Sequence, residues 1–183
     1  PAAYREFLET MGASMGPLEV QEGDLTAAAA IGFYEEGDDL PDPRYLYIGE
    51  NDEDPYPGYF LDREVGSADD PAVASFEPGS ELDPAEVLAF ESLADMLFWS
   101  AARQFGMASM GVRGFLTALG DIDWSSRRPF DDVARIADGE GFQRVAGTGN
   151  WMHIYEREDA LMIAQTTGDC LLYTSPSPRD SDQ

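Results

Sequence analysis

The spacing of apolar residues changes period several times along this chain, and each change marks an element. Tyr4, Phe7, Leu8 and Met11 recur at i, i+3, i+4, i+7, with Pro1 in the first turn, so residues 1 to 11 read as a helix that Gly12 stops. Leu18 to Gln21 has the composition of a short strand. Leu25 to Tyr34 stays open, because Ala27 to Ala30 favours helix whereas Ile31-Gly32-Phe33-Tyr34 could extend.

Two aromatic and aliphatic runs follow, Tyr45-Leu46-Tyr47-Ile48 and Gly58-Tyr59-Phe60-Leu61-Asp62, each bounded by Gly, Pro and Asp. Such side chains fit a pleated surface, so the runs predict paired strands. The interval between them is too long for a two-residue hairpin turn and predicts a protruding loop carrying Glu50, Asp52, Glu53 and Asp54. A second acidic loop, Glu35-Glu36-Gly37-Asp38-Asp39, precedes the pair. Ala72 to Phe76 reads as a third strand. Asp83-Pro84-Ala85-Glu86 is a helix start with an Asp cap, and Phe90, Leu93, Leu97, Ala101 and Phe105 share one helical face. The predicted helix runs to about Gln104, with Ser92 offering a second cap within it, and Gly106 closes it.

Beyond a small-residue joint at Met107 to Gly111, a second unit is predicted. Val112 to Leu119 reads as helix, and Phe130 to Ala137 as a short helix with Val133 and Ile136 facing inward. Phe142 to Val145, Trp151 to Glu156 and Ala160 to Thr166 read as three strands of a meander, turned at Gly147-Thr148-Gly149-Asn150 and Arg157-Glu158-Asp159. The expected fold is α+β: a central, mainly antiparallel sheet with flanking helices over residues 1–110, and a helix plus three-stranded meander over 111–170. At 183 residues the chain is long enough to close a real core.

Charge narrows the function classes. Thirty-six acids face 11 bases, all of them Arg, for a net charge of −25. Residues 1–110 hold 24 acids and 4 Arg, so the acidity belongs to the first part of the chain. That balance argues against binding a phosphate backbone, which needs a basic face. It fits either a surface adapted to salt or an acidic face that steers a basic partner. No run approaches the roughly 18 apolar residues of a membrane span. The single Cys170 excludes an intrachain disulfide and suits a reducing, cytoplasmic setting. The chain begins at Pro1 and reads as a fragment.

Catalytic and metal chemistry find little support. His153 is the only histidine, which removes any His-based metal cluster or Ser-His triad within the chain, and beside Trp151 it reads as structural. Cys170 has no neighbouring base to activate it. Asp121-Ile122-Asp123 and Asn51-Asp52-Glu53-Asp54 offer oxygen donors but lack the Gly and distal Glu of a calcium loop, so they read as solvated loops. Gly147 to Asn150 lacks the third glycine of a dinucleotide loop. No cofactor is expected. Because only one face of an alternating strand points inward, Tyr45, Tyr47 and Tyr59 are expected on an outer face beside the acidic loops. Aromatic anchors amid the carboxylates of Glu35, Glu36, Asp38, Asp39, Glu50, Asp52, Glu53 and Asp54 would capture an Arg- or Lys-rich protein surface.

In order, Pro1-Ala2-Ala3-Tyr4-Arg5-Glu6-Phe7-Leu8, Tyr47-Ile48-Gly49, Gly58-Tyr59-Phe60-Leu61-Asp62, Asp70-Pro71-Ala72-Val73 and Ser92-Leu93-Ala94-Asp95-Met96-Leu97 resemble the SUKH superfamily over residues 1 to 105. The resemblance implies an α+β protein-binding domain without a cofactor, of the kind bacteria use as immunity proteins that hold a toxin inactive. With the acidity, it points to a basic toxin, such as a nuclease. A housekeeping regulator of the same fold, and a hydrolase, are the other readings. Two departures stand out: the family's amino-terminal helix would lie upstream of Pro1, and the second unit lies outside the core domain. Leu171 to Ser181 resembles translated adaptor sequence and turns abruptly Ser/Pro-rich, so residues 171–183 are expected to be a non-native, disordered tail.

Overall fold

The computed structural model describes residues 1–18, 20, 23–37, 40–50, 58–77, 88–106, 114–117, 128–165 and 171–175. The chain is α+β and divides into two compact units, Pro1–Ala101 and Ala102–Gln183.

Unit 1 is built on a four-stranded antiparallel sheet in the order β1-β2-β3-β4, with β1 at Tyr45–Glu50, β2 at Gly58–Gly66, β3 at Pro71–Ser75 and β4 at Leu88–Phe90. Three helices join it: α1, Ala2–Met11; α2, Ala27–Glu36; and α3, Leu93–Ala101. The open stretch at Leu25 to Tyr34 is therefore mainly helical. Thr26 decides this locally, its hydroxyl accepting the Ala29 N–H at 3.3 Å as an N-cap, ahead of four alanines that favour helix. Of the short strand expected at Leu18 to Gln21, the structure shows an isolated bridge between Val20 and Gly23.

Register sorts the sheet's side chains. Tyr47 lies opposite Phe60 and Phe60 opposite Ala74, so these share one face; Leu46, Leu61, Val73 and Phe90 share the other. Helix α2 covers the first face. Phe33 stacks on Tyr47 with ring centroids 3.8 Å apart and presents its edge to Phe60, while Phe60 stacks on Phe76 at 4.1 Å. On the second face the Phe90 ring meets Trp99 of α3 edge-on. Asp70, at the start of β3, reaches across to the first turn of α3: its carboxylate accepts the Leu93 N–H at 2.9 Å and the Ala94 N–H at 3.4 Å. Ser92 takes the Asp95 N–H at 3.0 Å, so strand and helix share one capping device of a kind worth about 1 kcal/mol per cap.

The long helix expected from Asp83 is corrected. Leu88–Phe90 is a strand paired with β3, and the helix begins after Ser92. Pairing to an existing sheet edge outweighs the helical spacing of Phe90. Asp83 itself lies outside the described residues.

In unit 2 a five-stranded antiparallel sheet has the order β5-β9-β8-β7-β6. Its strands are β5, Gly114–Thr117; β6, Gln143–Arg144; β7, Met152–Arg157; β8, Ala160–Gln165; and β9, Leu171–Ser175. Helix α4, Arg128–Gly139, packs Phe130, Val133 and Ala134 against Tyr155, Met162 and Ala164. The meander stands as expected, but two readings change. Residues 114–117 extend rather than coil into a helix, because β9 supplies a partner for them. Residues 171–175, expected to be disordered, form that partner; Leu-Leu-Tyr-Thr-Ser is strand-like in composition once an edge is offered. Ile136 is exposed, not inward, since the buried stripe of α4 runs through Phe130, Val133, Ala134 and Ala137.

Buried tyrosines give unit 1 an alkaline limit. Burial, with Tyr34 adding to it, pushes the Tyr4 hydroxyl up to about 12 from its ordinary 10.0, and Tyr47 is raised too, by burial first and then by Glu50 and Asp24. Unfolded tyrosines ionise near 10 while these keep their protons, so deprotonation favours the unfolded chain. Stability is expected to be complete below about pH 10 and to fall as pH rises from there toward about 12. Urea midpoints measured across that range, with tyrosinate absorbance alongside, check it. A midpoint that holds steady while tyrosinate appears would contradict the buried placement.

Candidate partner-binding face

The elements around β1 place most of the described candidate residues. β1 is an edge strand, and its outward amides are covered: Tyr45 N–H donates to the Asp42 carbonyl at 2.8 Å, Tyr47 N–H to the Tyr34 hydroxyl at 3.0 Å, and Glu50 N–H to the Asp24 carbonyl at 3.0 Å. Gly49 makes this closure sterically achievable, because a Cβ there would collide with the Asp24 carbonyl oxygen and the Leu25 backbone. With those amides engaged, β1 presents no ready template for an added strand. Partners must use side chains.

The tyrosine expectation is corrected here. Tyr47 and Tyr59 are 4% and 0% exposed, inside the sheet's two covered faces, and Tyr45 is half-buried with its ring edge-on to Phe76. The alternation argument assumed one solvated face. Strands covered on both sides instead carry continuous apolar runs, and Tyr59-Phe60-Leu61 is such a run. Of the carboxylates, Glu50 is exposed at the end of β1, while Glu35 and Glu36 are exposed in the last turn of α2 rather than in a loop. Asp38, Asp39, Asp52, Glu53 and Asp54 lie outside the described residues, as do Asn51 and the Asp121 to Asp123 pair.

The structure adds residues that the pattern did not single out. Ile31, Tyr34 and Leu40 are 56%, 41% and 56% exposed beside those acids. A signal was present, because Ala27 to Tyr34 is apolar without the periodicity that marks a single buried face.

One acid is handled differently. The Asp62 side chain is 0% exposed and is held by a fork from Arg44, Nε to Oδ1 at 2.7 Å and Nη2 to Oδ2 at 2.6 Å. Its Oδ1 also accepts the Glu64 N–H at 3.1 Å. The bonded carboxylate, ahead of all other causes, drives the Arg44 guanidinium even further above its ordinary value. This pair is structural: it anchors the chain entering β1 to the middle of β2.

In unit 2, α4, β6 and β7 bound an open groove of about 740 Å³. His153 sits in it, stacked on Phe130 at 4.0 Å, with Nδ1 3.1 Å from the Tyr155 hydroxyl. Asp131 and Asp138 also line it but stand seven residues apart on α4, about 10 Å along the axis, and both are exposed. Among the described residues no group of three or more His, Cys, Asp or Glu could hold a metal ion.

The arrangement defines an α+β scaffold with closed sheet faces, a covered sheet edge, and exposed carboxylates at the end of α2 and the end of β1 in unit 1. No protein-family model, curated protein or solved structure matches the chain. Among the described residues, no helix is long and apolar enough to cross a membrane.

Proposed function

We propose that the chain is a non-enzymatic protein-binding domain of the SUKH-like immunity type, which neutralises a basic toxin by occluding it. The observation that carries this reading is the state of its acids. Glu35, Glu36 and Glu50 stand exposed around α2 and the edge of β1, and among the described residues none of them meets a cation. Uncompensated negative potential of this kind costs the folded state self-repulsion and accelerates encounter with a positive surface. The ordered sequence motifs add to it: Gly58 to Asp62 lies on β2, while Asp70 to Val73 and Ser92 to Leu97 lead into β3 and α3, with Asp70 and Ser92 capping the same helix.

The test is the product of the neighbouring gene. Purified together, that protein and this chain are expected to form a complex in which the neighbour's activity is lost. Association is expected to slow by about tenfold between about 50 mM and about 500 mM NaCl, as steering is screened. A neighbour that is not basic, or that keeps full activity in the presence of excess chain, would overturn the proposal.

A further inference from the structure

Helix α2 is built as though something should lie on it. Its sequence, Ala-Ala-Ala-Ala-Ile-Gly-Phe-Tyr-Glu-Glu, is apolar on every side for eight residues, yet not one of its residues is buried. Helices of that composition are ordinarily enclosed. Ala30 and Phe33 face the ring cluster of the sheet. Ile31 and Tyr34, three residues apart, neighbour each other on the outer side. Leu40 extends the same surface: its Cδ2 lies 3.4 Å from where a Cβ on Gly37, the C-cap of α2, would stand. The position a Cβ would take on Gly32 is open, with nothing within 4 Å.

The charges around this face are placed against the helix's own interest. A helix C-terminus carries partial negative charge and favours cations, but the last turn of α2 holds Glu35 and Glu36 and no base, and its first turn holds no acid. Asp42 beyond that end, and Asp24 and Glu50 near the other, are also exposed. A local arrangement that works against folding and rims an apolar centre is the signature of a surface kept for another molecule.

We infer that the outer face of α2 with Leu40 is the docking surface, and that its occupant is a protein patch with an apolar centre ringed by Arg and Lys. The inference rests on the protein-binding reading above and names where and how that binding occurs. Charge selects the occupant. A second copy would bring another chain of net charge −25 against the same carboxylates, and an anionic lipid surface would be repelled likewise. A cationic rim would relieve the repulsion at Glu35 and Glu36, while its apolar centre would cover Ile31, Tyr34 and Leu40.

The experiment uses the full chain and the purified product of the adjacent gene as the probe. Ile31→Asp and Leu40→Asp are each expected to weaken binding by about 100-fold, mainly through faster dissociation. The paired change Glu35→Arg and Glu36→Arg is expected to slow association by about tenfold. Ile136→Asp, an equally exposed position in unit 2, is expected to leave affinity unchanged. Because Leu40 lies outside the helix, its variant carries the test even if Ile31→Asp perturbs α2. Light scattering on the free chain is expected to give a monomer. Binding that survives both Asp variants would overturn this surface while leaving the protein-binding reading intact. A free-chain dimer that Ile31→Asp dissolves would make the occupant a second copy and overturn the one named here. Absence of any binding by the unaltered chain would remove the broader reading, and the occupant with it.

Discussion

Replacing Arg44 with alanine is expected to lower the unfolding free energy by about 3 kcal/mol, because it strands a carboxylate inside unit 1. Asp62 has no solvent to fall back on, its side chain being 0% exposed, and Arg44 supplies two short bonds to it. The remaining bond, from Glu64 N–H, is a single neutral donor. Arg44→Lys should recover only part of the loss, since an ammonium cannot reproduce the planar fork. Replacing both partners, Arg44→Met with Asp62→Leu, should cost less than Arg44→Ala alone, as removing a buried pair together leaves nothing uncompensated. Glu64→Ala should be nearly neutral, because that exposed acid meets Arg44 only at 3.4 Å. Urea denaturation of the four variants checks the ordering. If Arg44→Ala cost no more than Glu64→Ala, the pair would be an exposed ion pair in its energetics and the buried reading of Asp62 would fail.

Sequence pattern read this chain unevenly, for identifiable reasons. The pairing of Tyr45 to Ile48 with Gly58 to Asp62 was legible because turn formers bound both runs and aromatics fill them. The helix at residues 1 to 11 and the meander from Gln143 to Gln165 were legible from period alone. What pattern cannot see is a partner brought from elsewhere in the chain. Leu88–Phe90 extends because β3 offers it an edge, and Gly114–Thr117 because β9 does. The expected interaction face failed for a related reason. Whether Tyr47 and Tyr59 face water depends on whether helices cover both sides of the sheet, and α2 does cover the Tyr47 side. The acids were legible as acids, yet Glu35 and Glu36 belong to a helix end, where their cost and their use are both greater than in a loop.

That displacement moves the candidate site by one layer, from the sheet to the helix lying on it. Tyr47, expected to be an anchor for a partner, instead anchors α2: its ring stacks under Phe33 and its N–H donates to the Tyr34 hydroxyl. Tyr34 thus serves two links of the chain of causes at once. Its hydroxyl covers an edge amide of β1, and its exposed ring contributes to the outer surface.

Phe60→Ala is expected to be the most damaging single change in unit 1, at about 4 kcal/mol. Phe60 is fully buried and is the ring on which the others converge: it stacks on Phe76, meets Tyr47 edge-on at 5.3 Å and meets Phe33 edge-on at 6.2 Å. Truncation removes the transfer energy of the ring and leaves a cavity that Phe76 and Tyr47 cannot fill, since Tyr47 is fixed in β1 and Phe76, just past β3, is held by its N–H donating to the Gly58 carbonyl at 3.2 Å. Phe60→Leu keeps most of the volume and should cost about 1.5 kcal/mol. The two variants also separate stability from placement of the docking face. Phe33 seats α2 on the Tyr47–Phe60 pair, so loss of Phe60 should raise hydrogen exchange at the amides of α2 more than at those of α3, which packs on the other face of the sheet. Urea midpoints give the energies and exchange gives the location. Equal acceleration in both helices would mean that Phe60 supports the whole unit without a special relation to α2, and the link from ring cluster to docking surface would be lost.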